Sequence, residues 1–246
     1  MIYVITHKSI NCTLPEKYFY LQVGAAINGG FAEITDDKNE NISIKNQNYC
    51  ELTGIYWLWK NCADAYIGIT HYRRFFYSCD SLISYDESIK ILQEYDVILP
   101  KKYYSKRTNN EHYVSDKVGC GYLKDIEVLR DVLEEKYKDY LPHYNEYMKR
   151  KNSYYYNMMI CKKELFDQYC SWLFDILFEV EKRIDLSEYD SYKKRIFGFM
   201  SERLLNIWID KNKLKIKELF VFDYNAKFLS RTIRKGKYYF RKLFLR

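Results

Sequence analysis

Apolar and polar positions fall in blocks that read as strand, helix, strand from the first residue onward. Ile2-Tyr3-Val4-Ile5-Thr6 is a short β-branched run ending in the polar His7-Lys8, the pattern of a buried first strand whose C-terminal end opens into a loop. Asp36-Asp37-Lys38-Asn39-Glu40-Asn41 predicts a loop. From Asn48 to Asn61 the apolar residues Leu52, Ile55, Tyr56 and Trp59 recur at i, i+3, i+4 and i+7, which predicts a helix lying on a sheet. Tyr66-Ile67-Gly68-Ile69-Thr70 reads as a second buried strand, stopping abruptly at His71-Tyr72-Arg73-Arg74. A helix over 85–94 precedes Asp96-Val97-Ile98-Leu99-Pro100, a third strand closed by proline. This alternation predicts an α/β fold with a mainly parallel central sheet flanked by helices, and such sheets bind ligands beyond the C-terminal ends of their strands.

The second half is more helical, with apolar stripes over 123–140 and 163–183 and a further helix from Gly198 to Ile209. The uncharged stretch Tyr154 to Cys161 predicts a buried strand, and Phe220-Val221-Phe222 a last short one. At 246 residues and 48% hydrophobic content the chain can enclose one large core, so 1–226 reads as a single domain.

Charge separates the remainder. Eight of the 40 basic residues and none of the 33 acidic ones fall in 227–246, which leaves 32 against 33 in 1–226. A near-neutral body argues against a nucleic-acid partner. In the tail, Phe228-Leu229, Thr232-Ile233, Gly236, Tyr239-Phe240 and Leu243-Phe244 recur at helical spacing opposite most of the Lys and Arg. That pattern suits a helix lying in an anionic membrane surface, a helix docked on the body or a partner, or a disordered basic end. The longest uncharged run, Tyr18 to Ala32, contains Gln22, Asn28 and Gly29-Gly30 and is a poor spanning segment. The N-terminus lacks the basic start and small-residue cleavage site of a secretory signal. Seven cysteines, an odd number with no Cys-x-x-Cys pair, read as reduced thiols. Together these features place the chain in the cytoplasm, peripheral on the inner face of the membrane if the tail binds there.

Candidate chemistry gathers after the strands. His71, Tyr72, Arg73 and Arg74 directly follow a buried strand, and arginine forks match phosphate oxygens; they form either a diphosphate clamp or ion-paired surface groups. Thr6, His7 and Lys8 end the first strand, where nucleotide-binding sheets contact base or ribose, though a lone His in that place is more often structural. Asp36 and Asp37 could accept sugar hydroxyls, hold a divalent metal through oxygen, or make a solvated turn. Glu51 and the pair Glu202-Arg203 sit among apolar residues and need a partner or a cavity; Glu202 could be a general base, cap its helix or pair with Arg203. Asn157, among tyrosines and methionines, either bonds locally or reads a sugar hydroxyl. No glycine-rich phosphate loop, nucleophile elbow or His-Glu-x-x-His is present.

Several ordered blocks resemble the bacterial "domain of unknown function 4422" group, assigned to glycosyltransferases of capsule and lipopolysaccharide biosynthesis. They are Ile2 to Lys8, Gln22-Val23-Gly24-Ala25-Ala26, Asp36-Asp37 with Asn41-Ile42-Ser43, Tyr49 to Gly54 with Tyr56-Trp57 and Trp59-Lys60-Asn61, and Tyr66-Ile67-Gly68 running into His71 to Arg74. Further blocks are Tyr156-Asn157-Met158, Tyr169 to Phe174 and Gly198 to Leu205. The resemblance implies a GT-A-like fold and transfer of a sugar, galactose or galactofuranose, from a uridine diphosphate donor to a growing glycan. A lipid-linked acceptor would explain the basic tail. Many GT-A enzymes hold Mn²⁺ or Mg²⁺ on the diphosphate through an Asp-x-Asp after a central strand. Here none follows Ile69 and His71 to Arg74 stands in that place, which puts metal dependence in question.

On this reading uridine rests near Thr6 to Lys8, Arg73 and Arg74 neutralise the leaving diphosphate, Glu202 or Asp37 activates the acceptor hydroxyl, and Trp57 or Tyr72 offers a flat face to the sugar. Glu51, His71, Asn157 and Arg203 complete the substrate-binding set. The rival is a non-catalytic glycan-binding subunit of the assembly machinery, which the aromatic content suits equally.

Overall fold

A computed structural model describes residues 1–10, 13–78, 81–115 and 119–245. The strands are β1 (Ile2–Thr6), β2 (Tyr18–Gln22), β3 (Ile34–Thr35), β4 (Tyr66–His71), β5 (Phe75–Ser78), β6 (Ser81–Leu82), β7 (Val97–Pro100), β8 (Tyr103–Tyr104), β9 (Asn152–Ser153), β10 (Met159–Lys162) and β11 (Ile216–Phe222). The helices are α1 (Ala25–Asn28), α2 (Asn46–Tyr49), α3 (Leu52–Asn61), α4 (Tyr85–Ile91), α5 (Asn109–Val114), α6 (Leu123–Lys136), α7 (Leu141–Lys149), α8 (Lys163–Glu181), α9 (Ile196–Asn212) and α10 (Phe228–Phe244).

Nine strands form one sheet in the order β3-β2-β1-β4-β10-β7-β11-β5-β6, and β8 and β9 pair separately. Strands β10 and β5 run antiparallel to their neighbours and the others share one direction, so the sheet is mainly parallel as the sequence pattern predicts. Alternation along β1 divides its side chains between the two faces. Tyr3 and Ile5 join the core under α3, α6, α8 and α9, while Ile2 and Val4 pack on the opposite face with Phe76, Ile98 and Ile160. Helix α3 approaches the sheet closely because Gly54 has no side chain: a Cβ there would lie 2.7 Å from Val23 Cγ1.

Three sequence expectations are corrected. The helix read from Asn48 to Asn61 is broken: α2 ends at Tyr49, Cys50 takes φ 51° and ψ −126°, and α3 starts at Leu52. The expected strand over Tyr154 to Cys161 is formed only from Met159 onward, because Tyr156 (φ 82°) and Asn157 (φ 50°) turn the chain first. Strand β2, beside β1, lies in a stretch the sequence pattern did not mark as a strand. The tail is helical: α10 leans on the body through Tyr238, whose ring lies 5.4 Å from Phe220 and 6.1 Å from Tyr104. Its other side exposes Leu229, Ile233, Phe240, Leu243 and Phe244. Cys50, Cys62, Cys120, Cys161 and Cys170 are free thiols, whereas Cys12, Cys79, Arg246 and the Phe228 side chain lie outside the described residues. No helix among the described residues is long and apolar enough to cross a membrane.

Candidate active site

Strands β1 and β4 end side by side, and a cleft of about 680 Å³ opens beyond them. Thr6 and His7 enter it from β1, and His71, Tyr72, Arg73 and Arg74 from β4. The β4 turn is tight: Arg74 N donates to His71 O at 2.9 Å, and the Thr70 hydroxyl donates to Arg74 O at 2.8 Å. Main chain therefore fixes where both arginines leave the sheet. The Arg74 guanidinium lies 4.3 Å from the Tyr156 ring centroid and that of Arg73 5.1 Å from Tyr72, orienting the cations without a carboxylate partner among the described residues. His7 meets Tyr72 edge-on at 5.1 Å, and burial, with Lys8, Arg73 and Arg195 nearby, lowers its pKa.

The facing wall comes from α9 and the segments before α3 and β10. Tyr156 N donates to Glu202 Oε1 at 2.7 Å, and Asn157 Nδ2 donates to Glu51 Oε1 at 2.7 Å and to Gly198 O at 3.1 Å. The positive φ values at Tyr156 and Asn157 aim these donors. With Cys50, they put two strained backbone positions in the cleft lining and a third, Asn157, just behind it, a cost of order 1–3 kcal/mol each of a kind that clusters at functional sites. Burial is the main cause that raises Glu202 to a pKa of about 7; Arg203, the Tyr156 amide and Arg74 pull it down, and Glu51 pushes it up. Glu202 can thus exchange a proton near neutral pH. His71 is half-buried, its Nε2 shielded and without a hydrogen-bond partner among the described residues; desolvation lowers its pKa, Glu51 opposes the fall and Arg74 adds to it.

Of the residues singled out from the sequence, Thr6, His7, Glu51, His71, Tyr72, Arg73, Arg74 and Glu202 line the cleft together. Asn157 stands just behind, holding Glu51. The structure does not bring the others into it. Asp36 is fully buried and accepts from Gly24 N, Ala25 N and the Ser43 hydroxyl, a backbone staple rather than a sugar contact. Asp37 accepts from the Thr35 hydroxyl on an exposed turn. Trp57 Nε1 donates to Lys38 O over that same loop. Lys8 lies outside the lining, its Nζ 5.0 Å from the Tyr72 ring. Arg203, on α9 and 1% exposed, is sunk behind the cleft, donating to Phe199 O and Glu202 and lying 4.9 Å from the Tyr113 ring, so it positions Glu202.

Sequence reasoning missed Arg195, His112 and the aromatic lining from Tyr103, Tyr155, Tyr192 and Phe199. Arg195 carries a third guanidinium to the cleft, its Nε 3.2 Å from Cys50 Sγ. Its only sequence signal is the basic run Lys193-Lys194-Arg195 before α9. Among the described residues no three His, Cys, Asp or Glu side chains are grouped to hold a metal, and the two cleft carboxylates already accept from Asn157 and the Tyr156 amide. No all-protein cage for Mn²⁺ or Mg²⁺ is built there, and an ion would have to rest on one or two of these carboxylates together with the donor phosphates.

Residues 1–213 match the family model described as "Domain of unknown function (DUF4422)". A solved structure described as the WbbM bifunctional glycosyltransferase in its apo form is similar at 30% identity and a TM-score of 0.79, over 92% of this chain. The match covers 46% of that protein, so the chain spans about half its length. Among curated proteins no match was found.

Proposed function

Because this chain belongs to the DUF4422 family, we propose that it is a glycosyltransferase moving a hexosyl group, galactose or galactofuranose, from uridine diphosphate to a growing capsular or lipopolysaccharide glycan. The observation that carries this reading is one cleft at the ends of β1 and β4 holding three guanidinium groups opposite a carboxyl with a pKa of about 7. Arginines there suit a leaving diphosphate, whose negative charge grows as the bond to the anomeric carbon breaks. The acceptor oxygen bonds to that carbon, its proton passes to Glu202, and the electron pair of the broken bond leaves with UDP. Glu51, held by Asn157, is placed to accept a sugar hydroxyl, and Tyr155, Tyr156 and Tyr192 offer flat faces to the ring. The donor charge is met by arginine in place of a metal.

Incubation with a panel of nucleotide sugars, followed by chromatography, is expected to release UDP from uridine donors at a rate that EDTA leaves unchanged. No release from any donor, with no thermal stabilisation by UDP, would favour the non-catalytic glycan-binding subunit.

The tail supports a peripheral location on the cytoplasmic membrane face. The exposed apolar side chains of α10 could enter the interface while neighbouring Lys and Arg meet anionic headgroups at about 1 kcal/mol each. Removal of residues 227–246 is expected to abolish co-sedimentation with phosphatidylglycerol vesicles. Undiminished sedimentation of the truncated chain would contradict the membrane role.

A further inference from the structure

A second cavity, of about 510 Å³, adjoins the first, with Arg73, Arg74, Tyr103, Tyr155 and Tyr156 in both linings. Lys101 and Lys102 enter it after β7, and α10 contributes Arg234, Lys237 and Arg241. Asp223 is the one acidic side chain lining it among the described residues. None of these lysines and arginines is in an ion pair with a described residue. So strong an excess of unpaired cations in a concave site calls for an anion.

Lys101 and Lys102 sharpen this. Both are half-buried, and burial pulls the pKa of each below the ordinary lysine value. Their ammonium groups rest on rings: Lys101 Nζ lies 5.0 Å from Phe220 and 5.1 Å from Tyr238, and Lys102 Nζ 4.9 Å from Tyr154. The carboxylates acting on them at longer range are engaged elsewhere. Glu218 accepts from the Tyr154 and Tyr238 hydroxyls, and Asp210 from Arg150. Desolvated lysines without a bonded carboxylate are costly until an anion completes them.

We infer that this chamber binds the phosphate or diphosphate of the acceptor's lipid carrier, with the sugar end reaching the donor cleft past Arg73 and Arg74. The inference rests on the proposed glycosyl transfer. A carrier fits better than a free anion because of how α10 is built. Arg234, Lys237, Tyr238 and Arg241 face the chamber, while the exposed Leu229, Ile233, Phe240 and Phe244 lie about a third of a turn around the same helix. One helix therefore offers cations to a phosphate and an apolar surface to the hydrocarbon attached to it.

The test titrates farnesyl diphosphate, inorganic diphosphate and UDP into the full chain by calorimetry, without membranes. The variants are R234A/K237A/R241A and, with equal loss of charge at exposed positions outside the chamber, K38A/K90A/K149A. Farnesyl diphosphate affinity is expected to fall about tenfold or more in the tail variant only, with UDP affinity unchanged in both. Unchanged farnesyl diphosphate binding in the tail variant, or an equal fall in the control, would overturn the site. A parallel fall in UDP affinity would make the chamber part of the donor site instead. Inorganic diphosphate binding as tightly as farnesyl diphosphate would overturn the carrier assignment. Wild-type protein that binds farnesyl diphosphate as expected but not UDP would uphold the anion site and sink the donor reading.

Discussion

Arg74→Ala is expected to lower the rate of sugar transfer by about two orders of magnitude, or about 3 kcal/mol, the scale on which loss of one preorganised charge-stabilising group is felt. The Arg74 guanidinium is fixed twice over, by the hydrogen-bonded turn after β4 and by the Tyr156 ring 4.3 Å away, so little reorganisation is needed as charge develops on the diphosphate. Arg73 is more exposed, and Arg73→Ala is expected to cost less. Because the turn is held by the Arg74 main chain and the Thr70 hydroxyl, the alanine variant should unfold at the wild-type temperature. A second consequence follows from the position of Arg74 among the groups that pull the Glu202 pKa down: without it, activity should need a higher pH. Steady-state rates across pH check both parts, and wild-type transfer by Arg74→Ala would remove the clamp from the mechanism.

Glu202→Gln is expected to reduce transfer by about 10²- to 10⁴-fold, the usual contribution of a positioned general base. Wild-type activity should rise as pH passes through about 7, where Glu202 loses its proton, and the variant should lack that limb. Stability moves the opposite way. Burial raises the folded-state pKa of Glu202 above its unfolded value, so its contribution to stability is complete below the ordinary carboxylate range and is lost as pH rises through about 7. Glutamine stays neutral and can still accept from Tyr156 N, so at pH 8 the variant should be more stable than wild type by about 2 kcal/mol. Denaturant unfolding at pH 5 and pH 8 measures this. A variant less stable than wild type at pH 8 would mean that the Arg203 contact outweighs the burial of Glu202.

What could be read from the sequence was what sits at strand ends. Ile2 to Thr6 and Ile67 to Thr70 are buried on both faces of the sheet and show in the sequence as uncharged, largely β-branched runs, which puts His7 and His71 to Arg74 at a ligand edge. The opposing wall depends on the chain turning where no Gly or Pro announces it. At Cys50 the main-chain carbonyl is held by Asn46 Nδ2 and the Thr53 hydroxyl, a local alternative to helix that periodicity does not reveal. At Tyr154 the amide is taken by Asn206 on α9, more than fifty residues away, so an uncharged segment that looks like a strand instead turns toward the cleft. Asp36 misled for the opposite reason: a carboxylate in a polar loop looks available, yet the amides of Gly24 and Ala25 had already claimed it. Arg195 and His112 come from the ends of helices, whose position over the sheet is set by packing and not by local pattern.

The central claim is that one cleft, floored by the ends of β1 and β4, binds the diphosphate of a uridine donor through arginine. Calorimetric titration of UDP into wild-type protein, R73A/R74A and E202Q in the presence of EDTA tests it most directly. The expected result is one UDP per chain for wild type and E202Q, with affinity reduced about a hundredfold or more in R73A/R74A. Wild-type protein that binds no UDP, or R73A/R74A that binds it as tightly as wild type, would contradict the claim.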